Sequence, residues 1–361
     1  MFELDAAPLS PEQQRIIERL LINDGSHKYV LGRNAYALSV ARHVNITGFI
    51  DDYTSETSYQ GKPLLRMQAV PRDGIVVSCV VDAKPLTALA RLRASGISSV
   101  VDYFTLSRVV SALLRPTVYL EGARADVQSN LDHYHRLHGR LADEESRLTL
   151  RKVVSFRCTG DLAHMQGFSC RLEQQYFEDF ARFDDGEVFV DGGSFDGETA
   201  LAFRNRCPNY EAIYVFEPSR ASMQIARQKL STLPRCHFIQ KGLFDCHTRR
   251  RFDSSAGSAS RLSDIGGSEI VLTTLDKAVR ARVSFVKLDV EGAECPALLG
   301  AKRHIVQDHP KLAVCVYHQQ SDFWRVPEIV LNLRDDYDVY LRHHTEGVLE
   351  TVMYFIPRRP A

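Results

Sequence analysis

Several acids in this chain close apolar runs, and their types and spacing suit small-ligand binding and proton transfer. Glu187-Val188-Phe189-Val190 ends in Asp191 and runs into Gly192-Gly193-Ser194-Phe195-Asp196-Gly197. Paired glycines let the backbone turn tightly beneath a ligand, and a carboxylate at a strand end accepts hydrogen bonds from an amino or hydroxyl group. Ile213-Tyr214-Val215-Phe216 ends in Glu217-Pro218, where an acid in an open parallel sheet holds ribose hydroxyls and disfavours a phosphate. Asp191 argues in the same way against a pyrophosphate beside the glycines. The pair favours an adenosine-like ligand bearing a sulfonium and an amino-acid tail over NAD. Val286-Lys287-Leu288 leads into Asp289-Val290-Glu291-Gly292; acids at alternating positions can share a sheet's carboxyl edge and orient a hydroxyl, take its proton or hold a metal. His318 follows the apolar run 312–317, and a neutral imidazole near its unperturbed pKa of about 6.5 would serve there as general base.

Positioning those residues takes an alternation of strands and helices. Strands are expected at 188–191, 212–217, 237–240, 284–289, 312–317, 339–342 and 352–356, the last two as an antiparallel pair. A second alternation occupies the first 110 or so residues, with strands at 29–32, 46–50, 74–81 and 99–103 and helices at 35–43 and 85–95, after a helix opened by Ser10-Pro11-Glu12. Such alternation predicts parallel sheets with right-handed crossovers. The fold class is therefore α/β. The polar, helical stretch from 121 to about 156 reads as a connector, and its His133, His135 and His138 as a solvated or interdomain helix face rather than a metal site.

At 361 residues the chain can bury two cores, and 45 basic against 45 acidic side chains give no field that would draw nucleic acid. Arg249-Arg250-Arg251 is too short for a nucleic-acid patch and reads as a solvated turn. The acidic N-terminus lacks the pattern of a secretory signal, no apolar run is long enough for a membrane span, and eight scattered cysteines form no Cys-x-x-Cys pair. A cytoplasmic protein is expected.

The loop 190–197, Phe216-Glu217-Pro218, Thr274-Leu275-Asp276, Lys287-Leu288-Asp289-Val290-Glu291-Gly292-Ala293-Glu294 and Leu299-Gly300-Ala301 together resemble the FkbM family of methyltransferases. The resemblance extends to Gln175-Tyr176-Phe177, Val316-Tyr317-His318 and Glu350-Thr351-Val352-Met353-Tyr354. It implies a seven-stranded class I methyltransferase sheet and O-methylation, often of a sugar hydroxyl, with S-adenosyl-L-methionine as cofactor. Carried over by position, Asp191, Gly192, Gly193, Ser194, Asp196 and Gly197 line the methionine part, Glu217 and Pro218 the ribose, and Gly242 and Leu243 the adenine, with Asp289 at the edge of both sites. Ser194 departs from the family's usual alanine but fits the same turn. Asp289, Glu291 and His318 face the substrate as catalytic candidates; no metal ligands are assigned.

Tyr29-Val30-Leu31-Gly32-Arg33-Asn34-Ala35-Tyr36-Ala37 occupies the place of a dinucleotide fingerprint but lacks its second and third glycines. With Gly48-Phe49-Ile50-Asp51-Asp52 and Gly61-Lys62-Pro63-Leu64 it resembles the N-terminal nucleotide-sugar-type domain of bacterial sugar acyltransferases. Such a domain could bind part of a glycan or small-molecule substrate, join copies into a homo-oligomer, or persist as a remnant. The expected organisation is a degenerate Rossmann-like domain at 1–115, a helical connector at 116–180 and a methyltransferase domain at 181–361. Two rival functions are a non-catalytic glycan- or nucleotide-binding module and an NAD-dependent sugar oxidoreductase.

Overall fold

A computed structural model describes residues 2–253, 261–263 and 268–358. The chain divides into two compact units: residues 1–125, Leu150–Arg171 and His344–Leu349 form the first, and Asp126–Thr149, Leu172–His343 and residues 350–361 the second. The segment 116–180, expected as a connector, is thus shared out between them. Among the described residues no helix is long and apolar enough to cross a membrane.

The first unit opens on the helix Pro11–Leu21, where Ser10 and Gln13 exchange side-chain and backbone hydrogen bonds in a capping box. Its sheet holds β1 (Lys28–Leu31), β2 (Gly48–Ile50), β3 (Ser58–Tyr59), β4 (Lys62–Leu65), β5 (Ile75–Ser78) and β6 (Ser99–Asp102) in the order β3-β4-β2-β1-β5-β6. All neighbours are parallel except β3, which folds back on β4. After β1, Asn34 stands where a fingerprint would have glycine. Its Oδ1 accepts from the Ala37 amide, capping the helix Ala35–His43, and its Nδ2 donates to the Cys79 carbonyl. The side chain ties the turn to the protein's own backbone.

In the second unit the main sheet contains β7 (Val188–Gly192), β8 (Ala212–Phe216) and β9 (Cys236–Ile239). A smaller sheet follows, of β10 (Gly242–Leu243), β11 (Thr248–Asp253), β12 (Arg261–Ser263) and β13 (Ser268–Thr273). The main sheet resumes with β14 (Phe285–Leu288), β15 (Lys311–Cys315), β16 (Tyr337–His343) and β17 (Thr351–Pro357). Its order is β16-β17-β15-β14-β7-β8-β9, with β17 antiparallel to both neighbours. All seven expected strands are present, including the closing antiparallel pair. The smaller sheet was not expected. Arg249-Arg250-Arg251, read as a turn, lies on β11 paired with β13; the three side chains are exposed, and Arg249 meets Glu269 at 2.7 Å.

Aromatic rings fill the core of this unit, with Phe189 stacked on Phe203 at 4.5 Å and on Phe285 at 4.9 Å. They lie on β7, β14 and the helix Glu198–Arg206. The two strands that end in Asp191 and lead to Asp289 are therefore pinned to a common core.

Candidate active site

Strand β7 pairs in parallel with β14, which places Asp191 opposite Lys287 and Gly192 opposite Leu288. Both side chains of the first pair are buried, and Lys287 Nζ stands 3.3 Å from Asp191 Oδ1 while donating to the Gly193 carbonyl at 2.7 Å. Burial alone would lower the lysine's pKa, but Asp191 and Asp289 hold it above the usual lysine range. Apart from that Lys287 ammonium, neither Asp191 oxygen has a hydrogen-bond partner among the described residues, nor has the buried Ser194 hydroxyl. Buried polar groups are normally satisfied, so these atoms mark a place where a ligand's polar groups fit.

The turn itself is tightly specified. The Gly193 and Ser194 amides both donate to the Phe216 carbonyl at 3.0 Å. Gly193 has φ +74°, and a Cβ built on it would lie 1.8 Å from the Asp289 carbonyl oxygen. Glu217 is 7% exposed and accepts from the amides of Phe195 and Ser219 at 3.0 and 2.7 Å. Burial pushes its carboxyl up to about 7, against those two hydrogen bonds and the charge of Lys287. Leu243 packs beneath Gly192, and Pro218 lies beside Gly242, so the residues expected at ribose and adenine converge on one rim of the loop. Gly197 begins the helix Glu198–Arg206 with φ +88°. Asp196 pairs through its carboxylate with Lys229 at 2.6 Å and accepts from the Glu198 amide.

The second cluster lies at the carboxyl edge of β14 and β15. The His318 side chain is 3% exposed; its Nε2 is 3.5 Å from Asp289 and 3.4 Å from Glu291, and its Nδ1 is 2.9 Å from the fully buried Glu294. Burial would lower the imidazole's pKa, but Glu294, Glu291 and Asp289 together hold it well above the usual histidine value. This corrects the expectation of a neutral imidazole base, because three carboxylates around one ring favour its cation. Asp289 accepts from the Tyr176 hydroxyl at 2.9 Å and from the Tyr317 hydroxyl at 3.3 Å. Burial would raise its carboxyl, yet Lys287, His318 and Tyr176 keep it below the usual range. Glu291, by contrast, is raised by burial in spite of His318.

Where the sequence showed no metal triad, the fold brings single donor atoms of Asp289, Glu294 and His318 within 4.8 Å of one another. Within that group His318 Nδ1 and the Glu294 carboxylate stand 2.9 Å apart, a hydrogen-bond separation. His133 belongs to a different environment, tilted on Trp324 at 4.5 Å and 3.7 Å from Glu328.

Sequence reasoning missed Lys287, Tyr176, Glu294 and Glu350 as site residues. A lysine in the middle of an apolar strand was the available signal for the first; the others gain meaning only from the fold. Glu350 precedes β17 and its carboxylate accepts from the Gln175 amide, whose nitrogen also lies 2.8 Å from the Tyr176 hydroxyl.

A seven-stranded sheet with one antiparallel strand, a glycine-rich turn after β7 and acids at the ends of its two neighbours, β8 and β14, define a class I methyltransferase fold. Residues 191–345 match the family model described as the methyltransferase FkbM domain. The crystal structure of methyltransferase FkbM from Methylobacillus flagellatus KT is similar over 96% of this chain and 94% of that one, with TM-score 0.74 and 23% identity. An rRNA methylase from Streptococcus thermophilus is similar over 50% of this chain and 93% of its own, with TM-score 0.35 and 16% identity. No curated protein matches the sequence.

Proposed function

We propose that the chain is an S-adenosyl-L-methionine-dependent O-methyltransferase that methylates a hydroxyl of a sugar, in a glycan or a nucleotide-sugar. The observation that carries the reading is the buried Asp191 carboxylate beneath the glycine turn, which Lys287 keeps charged and whose oxygens have no other hydrogen-bond partner among the described residues. A cofactor with an ammonium group and hydroxyls suits that acceptor and the carboxylate of Glu217, and the Asp191 charge repels the pyrophosphate of a dinucleotide. Asp191, Gly192, Gly193 and Ser194 would hold the methionine end, Glu217 and Pro218 the ribose, and Gly242 and Leu243 the adenine. Bound there, the cofactor supplies a methyl group already activated on a sulfonium sulfur.

The chain's own part is then alignment and proton removal. Asp289, Glu291 and the His318 cation offer both hydrogen-bond acceptors and a charged donor to a polyhydroxy acceptor, which suits a sugar. Holding the hydroxyl in line contributes most of the acceleration, since the donor carbon needs no further activation. All eight cysteines are free, which suits a reducing, cytoplasmic setting. Calorimetry with Asp191→Ala and Glu217→Ala tests the reading. Each variant should bind S-adenosyl-L-methionine at least about tenfold more weakly, the cost of one lost buried acceptor. Unchanged affinity in both variants, or NAD binding in place of S-adenosyl-L-methionine, would overturn it.

A further inference from the structure

Of the acids at the carboxyl edge of the main sheet, most are already committed. Asp289 is held ionised by Lys287 and accepts from two tyrosine hydroxyls, so it is a weak base. Glu291 and Glu294 both lie against the His318 imidazole, and His318 carries its own proton. Glu350 differs. Strand β17 runs antiparallel to β15, with Val352 opposite Cys315 and Thr351 bonded to Val316, so β17 begins where β15 ends. Its first residues therefore join the acids at the end of β14, and Glu350 stands at the level of Tyr317. Glu350 also has φ +70°, a left-handed conformation that strains a non-glycine residue and concentrates at functional sites.

Resting on the methyltransferase reading above, we propose that Glu350 is the general base, its carboxylate taking the proton of the acceptor hydroxyl as that oxygen bonds to the transferred methyl carbon. The carbon–sulfur bond breaks with its electron pair left on sulfur, the new oxygen–carbon bond uses an oxygen lone pair, and the proton passes from Glu350 to water. Gln175 aims the carboxylate through its side-chain amide and reaches the Tyr176 hydroxyl, which donates to Asp289. The bond pattern gives the base a fixed direction relative to the ion that orients the substrate. The charged and titratable groups that face Glu350 are Lys287 on β14 and Asp289 just after it, Cys315 at the end of β15, Tyr317 and His318 just beyond it, and Tyr176. Burial and then the Asp289 charge push the Glu350 carboxyl up to about 7, while His318, Gln175 and Lys287 resist. A base tuned near the working pH combines an available ionised form with a strong pull on the proton.

The test uses the full chain in two arms. In the first, carbon-13 NMR of protein labelled at the glutamate carboxyl follows titration in wild type, Glu350→Gln and Glu350→Asp. Resonances of Glu217 and Glu350 should both titrate near 7 in the wild type, and Glu350→Gln should remove one of them. In the second, S-adenosyl-L-methionine and a panel of methyl glycosides are supplied across the neutral range, and release of S-adenosylhomocysteine is measured. Glu350→Gln should keep the wild-type donor affinity, lose about 10²- to 10⁴-fold in turnover and lose the acid limb of the rate profile, with part of the rate restored in Glu350→Asp. If Glu350→Gln removes no resonance that titrates near neutrality, the proposal is overturned, as it is by turnover of that variant within about threefold of wild type. If the wild type binds the donor but methylates no glycoside, the sugar assignment fails and the NMR arm alone decides the base.

Discussion

A single methyl group added at Gly193 would collide with the Asp289 carbonyl oxygen, 1.8 Å away, on a backbone already at φ +74°. Gly193→Ala should therefore cost about 3 kcal/mol or more and abolish donor binding, measured by denaturant unfolding and calorimetry. Lys287→Met leaves Asp191 and Asp289 without their shared buried cation and should cost about 3–5 kcal/mol by the same unfolding measurement. Glu217 gives a pH signature. Its carboxyl is raised from 4.5 to about 7 in the fold, so the folded state binds the extra proton across that window and stability falls as pH rises through it. Glu217→Gln removes the titration, and its stability relative to wild type should increase from pH 4.5 to about 7 in urea unfolding. The strand-end acids and glycines were legible because each combines a special residue type with an apolar run that fixes its place in the sheet. The charge state of His318 was not, since it is set by Glu294 and Glu291, whose approach to one ring depends on the left-handed turn at Glu291 with φ +55°.

Elements buried on both faces announce themselves as continuous apolar runs, and for that reason strands such as β7, β14 and β15 could be read in advance. The smaller sheet could not. Its strand β11 begins Thr248-Arg249-Arg250-Arg251, and the three exposed arginines offer no apolar alternation. Strands β3 and β4 are similarly masked by Gln60-Gly61 and Pro63, turn and edge residues that enclose only short pieces of strand. Within the first unit, one helix end is completed from far along the chain. Lys84 supplies no side-chain cap to the helix Pro85–Ala94; instead the Glu346 carboxylate accepts from the Thr87 amide at 2.7 Å and from the Thr87 hydroxyl. Glu346→Ala should lower stability by about 0.5–2 kcal/mol, as loss of a helix cap does, with the shift read from thermal unfolding.

The whole molecule resists the division that composition suggests. Cutting at Glu121 would retain every strand of the second unit but isolate Leu150–Arg171 and His344–Leu349, which belong to the first. Phe156 is fully buried there, its ring 5.1 Å from that of Phe104, and the Gly347 backbone lies so close to the Asp82 carbonyl that a Cβ would sit 1.8 Å from it. A protein beginning at residue 121 should therefore aggregate or unfold without cooperativity, as size-exclusion chromatography and thermal unfolding would show. Boundaries of this kind leave no trace in composition, because Leu150–Arg171 and His344–Leu349 look locally like parts of the elements that flank them. The same threading orders events on the ribosome. Domains commonly fold in the sequence in which they emerge, but the first unit here lacks the acid that caps its helix until Glu346 has been made. Its early strands can pair while the nascent chain is short; its completion waits for the hairpin between β16 and β17.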